Sequence, residues 1–290
     1  MLRRARPADR AALAALVLAE DAAWSGAVAV GADEAGELVD GFTGGVVLER
    51  DGQVVGYAAA DAAGATLLLV DPHHNDPLAL GELVAWLTAH GGAEISAYAR
   101  DGDRIAWLRA HGYAARRSVF DLQRGSDPPL PSPVWPAGVT VARFRPAADA
   151  EVVHALVYVD AAWADVAGHT SRSLEGWRSS LGLDASAWVA RDGGRPVGWV
   201  AARLFDGGRG WVEQLAVARP ARGRGLGRAL LLHALGALQA AGAVSFALGV
   251  QGENAGAIAL YRDVGFTVER EWRVLARMPA PAAAASTIAP

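Results

Sequence analysis

The chain has no cysteine among its 290 residues, and this absence removes structural disulfides, thiolate zinc sites and cysteine nucleophiles together. Positive charge is not in excess either. The 27 Lys+Arg against 31 Asp+Glu give a formal net charge of -4, which argues against coating a polyanion such as nucleic acid and leaves room only for a local basic patch. Long apolar runs are missing. Met1-Leu2-Arg3-Arg4-Ala5-Arg6 leads into no extended apolar stretch, and nowhere do about 18 apolar residues follow one another. A cytoplasmic chain with no membrane partner is expected. His-Glu-x-x-His and Gly-x-Ser-x-Gly are also absent. His73-His74 with Asp76 has a metal-like look. Adjacent histidines on a strand-to-helix turn project in different directions, however, so a surface loop is expected and no metal.

What is present is apolar and repeated. Hydrophobic residues make up 52% of the chain, enough for two packed cores at this length. Val46 to Tyr57, VVLERDGQVVGY, and Trp188 to Trp199, WVARDGGRPVGW, each read as strand, polar turn and strand. A third strand follows each: Thr66 to Val70, and Trp211 to Val217. Next come helices over Leu78 to His90 and Leu226 to Ala241, with apolar residues at three- and four-residue spacing, closed by Gly91 and Gly242. Strands over Ile95 to Ala99 and Ser245 to Val250 precede short helices ending at Gly112-Tyr113 and Gly265-Phe266, then final strands. The fold class is therefore α+β: two tandem domains, each a mostly antiparallel sheet flanked by helices.

Between the copies, Gly125 to Gly138 contains five prolines, which deny helix and sheet their amide donors and favour an extended linker. The expected domains are 1–124, a linker over 125–138, and 139–278. An Ala/Pro-rich tail over 279–290 is expected to be disordered.

The chemistry is concentrated in one loop. Strand Trp211 to Val217 runs through Ala218-Arg219-Pro220-Ala221 into Arg222-Gly223-Arg224-Gly225-Leu226-Gly227-Arg228 and directly into a helix. The first amides of a helix lack internal partners, its dipole favours negative charge there, and glycines let a phosphate approach the backbone. Arg222, Arg224 and Arg228 add charge, so a diphosphate is the natural guest. The alternative is a basic, flexible turn that happens to precede a helix. A Walker-type loop is excluded because no Gly-Lys-Ser/Thr follows.

This loop resembles that of the GNAT N-acyltransferase superfamily, whose pattern Arg/Gln-x-x-Gly-x-Gly/Ala is matched by Arg222, Gly225 and Gly227. One strand later, Asn254-Ala255-Gly256-Ala257-Ile258-Ala259-Leu260-Tyr261 resembles the family's second signature. The tandem arrangement and Ala162 to Thr170 further resemble the mycothiol synthase group of that superfamily. The resemblance implies a domain over 139–278 that binds acetyl-CoA or another acyl-CoA as co-substrate and acylates an amine without a covalent acyl-enzyme. It implies that the Leu215 and Val217 amides, flanking Ala216, pair with pantetheine. Arg222 to Arg228 would then hold the diphosphate, and Asn254 would touch the pantetheine arm.

An ammonium must lose a proton before it attacks a thioester, and the departing thiolate leaves more easily if it gains one. The resemblance implies Glu213, in the strand that faces the acyl group, as the candidate base, directly or through water, and Tyr261 as the candidate acid. Each has a plainer reading. Glu213 may be read as a solvent-facing strand carboxylate, Tyr261 as a core aromatic in the stripe Ile258, Tyr261, Val264, and Asn254 as a helix cap. His169 is a candidate for the acceptor pocket, though capping or exposure suits it better. The first copy reads as degenerate: Asn75-Asp76-Pro77 stands where phosphate wants amides and cations, and Leu108 stands where the second copy has Tyr261. The function expected is transfer to a small-molecule amine. A non-catalytic acyl-CoA sensor and a mycothiol-synthase-type acetyltransferase are the alternatives.

Overall fold

The computed structural model describes residues 1–25, 30–42, 44–61, 64–159, 172–180 and 186–278. In the first half come β1 (Leu2–Arg4), α1 (Arg10–Trp24), α2 (Ala32–Asp40), β2 (Val46–Arg50), β3 (Gln53–Ala60) and β4 (Thr66–Val70). They are followed by α3 (Pro77–Ala89), β5 (Glu94–Tyr98), α4 (Gly102–Ala110) and β6 (Tyr113–Gly125). The second half repeats the plan with β7 (Val139–Arg143), α5 (Pro146–His154), α6 (Leu174–Ser180), β8 (Ser186–Asp192), β9 (Arg195–Phe205) and β10 (Arg209–Val217). Then follow α7 (Leu226–Ala240), β11 (Ser245–Gln251), α8 (Ala255–Asp263) and β12 (Thr267–Arg277).

The turn chemistry accounts for the hairpins. Asp51 and Gly52 both take positive φ, 50° and 77°, as do Gly193 and Gly194 at 56° and 84°. Two successive left-handed residues form the tight turn whose twist matches that of the flanking strands. Gly91 and Gly242 follow their helices at φ 85° and 105°, as the sequence leads one to expect.

Strand partnership departs from a simple picture of two self-contained sheets. One sheet runs β1-β2-β3-β4, and the other β5-β12-β6-β11-β10-β9-β8-β7. The last strand of each half lies in the other half's territory. β6 pairs antiparallel with β11 over Val119 to Gly125, and β12 pairs with β5 over Trp272 to Ala276. The two exchanged strands also pair with each other. Alternation and turn residues mark where strands begin and end, but a strand's neighbour depends on distant sequence. Residues 126–138 carry neither helix nor strand. Their Trp135 packs edge-on to His233 of α7, with ring centroids 5.6 Å apart.

Helices cover both faces of the second-half strands. Val200, Ala202 and Trp188 pack with Leu226, Leu230 and Leu235 of α7, while Val189, Trp199 and Ala201 pack with Val153, Leu156 and Trp177 on the opposite face. Two covered faces explain why these strands are apolar almost throughout rather than alternating.

A charged seam joins the halves. Arg270 of β12 donates to Asp21 of α1 at 2.5 Å, and the Tyr98 hydroxyl donates to the same carboxylate at 3.1 Å. Arg104 pairs with Glu20 and, at 2.8 Å, with Asp101, and the Val70 amide donates to Glu20 at 2.8 Å. Arg209 of β10 meets Glu269 at 2.9 Å. Breaking a buried pair leaves an uncompensated charge, so Arg270→Ala is expected to lower unfolding free energy by about 3–5 kcal/mol. Urea unfolding measures this, and a loss under about 1 kcal/mol would show that the seam relaxes or hydrates without Arg270.

Candidate active site

β10 and β11 run parallel and are paired only from Arg209 and Ser245 as far as Val212 and Leu248. β10 then continues to Val217 and β11 to Gln251. The β9 ladder explains the separation, because its register shifts between Val212 and Gln214. The extra residue is Glu213, and such a bulge bends its strand and sharpens the twist. The bulge also places neighbours on one face. Gln214 and Ala216 pack on the α5 side, while Val212 belongs with α7.

Where the strands part, a cavity of about 660 Å³ opens, lined by Leu215 and Val217 of β10, the loop from Ala221 to Arg228 except Arg224, and residues 253–257 with Leu260 and Tyr261 of α8. The two sequence motifs, separated by a helix and a strand, thus meet at one cleft. Gly223 and Gly225 take φ of 76° and 83° and have open space where a side chain would stand. Gly225 is also the N-cap of α7 and offers no side-chain oxygen to its amides. This leaves a helix N-terminus available to an anion.

The arginines divide. Arg228 lines the cleft, and its Nη1 donates to the Asp263 carbonyl at 3.4 Å. Arg222 lines it too, with Nε donating to the Val217 carbonyl at 3.3 Å. Arg224 turns away, pairing with Asp192 at 2.8 Å and donating to the Ala137 carbonyl at 3.3 Å. It fastens the loop to the β8–β9 hairpin and the linker. Ala216 is buried against α5 on the face opposite the cleft.

Asn254 caps α8, its Oδ1 accepting from the Ala257 amide at 3.1 Å, and it also borders the cleft. Tyr261 likewise has two surroundings. It belongs to the α7 core with Val264, yet it borders the cleft. Burial pushes its hydroxyl up from 10.0 to about 12, because desolvation disfavours the phenolate. Glu213 stands on the bulge with its carboxylate 3.0 Å from Arg203, which also pairs with Glu37 of α2. The first half therefore reaches the candidate base through one arginine.

Sequence reasoning missed Gln214. Its Oε1 accepts from the indoles of both Trp177 and Trp199, at 3.0 and 3.1 Å, and both rings are fully buried. The signal was the Glu-Gln pair interrupting an apolar strand, which is what a bulge permits. Glu253 was also passed over, and Ala255 and Gly256 stood in the second signature without a role of their own. His169 and the stretch Ala162 to Thr170 lie outside the described residues.

At the matching place in the first half, Asp76 caps α3. Its Oδ1 accepts from the Leu78 and Ala79 amides at 2.9 and 3.0 Å, and Arg50 pairs with it. A side-chain carboxylate thus holds the helix N-terminus that the second half leaves to a ligand. Leu108 is fully buried. His73 lies on the 3-10 turn before α3, with its amide donating to Asp71.

Comparison with known proteins agrees with this geometry. Residues 157–266 match the Acetyltransferase (GNAT) family. The chain is 34% identical over 248 residues to a mycothiol acetyltransferase of Frankia alni, covering 74% of this chain and 72% of that protein. Among solved structures, a GCN5-related N-acetyltransferase from Sphaerobacter thermophilus superposes with a TM-score of 0.76 at 25% identity, covering 97% and 96% of the two chains. A tandem GNAT protein from the clavulanic acid biosynthesis pathway shares the fold at 19% identity, with a TM-score of 0.70 over 97% of this chain and 100% of that one. The chain belongs to the GNAT acetyltransferase family and is an N-acetyltransferase.

Proposed function

We propose that the cleft between β10 and β11 binds acetyl-CoA and that the protein transfers the acetyl group directly to a small-molecule amine. The observation that carries this reading is the convergence of Arg222, Gly225, Gly227, Asn254 and Tyr261 on one cavity beyond the end of the parallel ladder. The diphosphate sits against the α7 N-terminus with Arg222 and Arg228. Pantetheine lies along Leu215 to Val217 as an added strand. The thioester then reaches the level of the Glu213 bulge.

In the transfer the neutral amine attacks the thioester carbonyl, the ammonium proton passing to Glu213 directly or through water. The tetrahedral adduct gives up the second proton of its nitrogen as it collapses, its carbon–sulfur bond breaks, the departing sulfur takes the Tyr261 proton, and the nitrogen's proton returns through water to restore the Tyr261 hydroxyl. Residues 1–124 form a degenerate copy in this reading, and residues 139–278 form the catalytic one, joined by 125–138. The Asp76 cap supports this, since its carboxylate repels a diphosphate at the first copy's helix. The acceptor to screen first is suggested by the relatives' name, mycothiol acetyltransferase.

Calorimetric titration with acetyl-CoA is expected to give one site per chain, abolished in the Arg222→Glu/Gly225→Asp double variant. No binding to the unaltered protein would overturn the reading. Tyr261→Phe is expected to lower turnover by about 10²- to 10⁴-fold, the usual contribution of a general acid. A hydroxyl pushed up to about 12 stays protonated through the mildly alkaline range, so turnover should show no falling limb near pH 10. The same shift favours the folded state below the unfolded tyrosine's pKa, and that stability is lost as pH climbs from about 10 toward 12. An unchanged rate in Tyr261→Phe at every pH would remove Tyr261 from the mechanism.

A further inference from the structure

On the other face of the β10–β11 pair from α7, the described residues enclose a second cavity of about 280 Å³. This is just under the roughly 300–1,000 Å³ of drug-sized sites, so its guest is small. Its walls come from both halves: α1, α2, β4 and β5 on one side, β6, β10 and β12 on the other. Asp121 and Trp211 come together there, both within 4 Å of the place a side chain on Gly249 would occupy. Trp272 stacks at a tilt on Tyr98, with ring centroids 3.8 Å apart.

The charge in this cavity does not balance. Three lining side chains are carboxylates, Glu20, Glu34 and Asp121, and one is a guanidinium, Arg270. Arg270 is shared among three carboxylates, Asp21 at 2.5 Å, Glu269 at 3.4 Å and Asp121 at 3.5 Å, and the Trp272 indole donates to Asp121 at 3.0 Å. Arg104 pairs with Glu20 and Asp101, and Arg209 is shared between Glu269 and Glu34, approaching Glu34 only to 3.5 Å. Glu34 Oε2 is buried and accepts no hydrogen bond. Burial pushes the carboxyls of Glu20, Glu34 and Asp121 above their ordinary range, against the opposing pull of Arg104, Arg209 and Arg270, because desolvation disfavours the charged form. A bound cation would offset that cost. Among the described residues no three His, Asp or Glu side chains group closely enough to hold a metal ion, whereas a cavity lined by carboxylates together with Trp211 and Trp272 suits an organic ammonium with an apolar body.

We propose that this cavity binds a small organic ammonium ion, its charged head between Glu34 and Asp121 and its apolar body against Trp211 and Trp272. The proposal does not rest on the coenzyme reading of the other cleft, and its test reads binding without turnover. The bound amine is an acetyl acceptor or an effector, two sources with the same chemistry.

The probe is 2-phenylethylammonium at pH 7, compared with 2-phenylethanol, which keeps the ring and chain but lacks the charge. Tryptophan fluorescence and calorimetry on the full chain follow binding. The ammonium is expected to bind at one site, at least about tenfold tighter than the alcohol, as burial beside carboxylates and indoles requires. Glu34→Gln and Asp121→Asn, which keep side-chain shape, should each weaken the ammonium by about tenfold while leaving the alcohol unchanged. Binding of the alcohol as tight as that of the amine, no amine binding, or indifference to both substitutions would overturn the proposal. If one variant fails to fold by circular dichroism, the amine-to-alcohol ratio on the unaltered chain still decides. Adding acetyl-CoA and weighing the amine by mass spectrometry separates the sources: an acetylated product marks an acceptor, and an unchanged bound amine marks an effector.

Discussion

Once Glu213 is extruded from the β9 ladder, β10 bends away from β11, and the second half's chemistry depends on that bend. Two parallel strands fully paired to their ends would leave no gap for a ligand between them. Here four residue pairs hold the strands together and the remainder is left to diverge. The loop that follows β10 then lines the gap, and α7 starts there with Gly225 as its N-cap. The bulge is held in place from both faces. Gln214 is fixed by two buried indoles, and Glu213 is tied through Arg203 to α2 of the other half.

The exchange of final strands makes the two halves one mechanical unit. β6 stands between β11 and β12, so the first half's last strand supports β11, which leads into residues 253–257 at the edge of the cleft. This gives the first half a structural role that needs no diphosphate site of its own. Its Asp76 satisfies α3 internally, which favours stability over ligand binding at that helix. Its α1 and α2 meanwhile supply carboxylates to the cavity on the far face. Neither half alone could build that cavity, because its walls alternate between them.

The sequence made legible whatever is set within a dozen residues. Asp51-Gly52 and Gly193-Gly194 announced their hairpins, because few residues accept two successive positive φ values. The glycines between Arg222 and Arg228 marked a tight turn into a helix, and Gly223 and Gly225 do take positive φ just before α7. Arg224 shows where this stops: its charge counted toward the phosphate site in the sequence, yet Asp192 and the Ala137 carbonyl draw it to the hairpin and linker. The Asn254 cap was foreseen as one of two roles. The strand exchange could not be foreseen, because β6 and β12 have the same apolar pattern whichever sheet they join. Nor could the charged seam, since Asp21 and Arg270 lie 249 residues apart.

The two cavities sort charge by different means, and this bears on how an acetyl transfer between unlike partners is organised. The α7 cleft gathers positive character from backbone amides and two arginines, which suits a diphosphate whose position along the chain must be fixed. The far cavity gathers negative character from side chains on three elements, where a cation is held by field and aromatic surface rather than by directed hydrogen bonds. Opposite fields on opposite faces of β10 discourage either ligand from occupying the other's place, because each would meet charge of its own sign. Exclusion of the wrong guest then costs nothing beyond the arrangement that binds the right one. The strand between them carries Trp211 toward one side and Leu215 and Val217 toward the other, with the Glu213 bulge at the crossing.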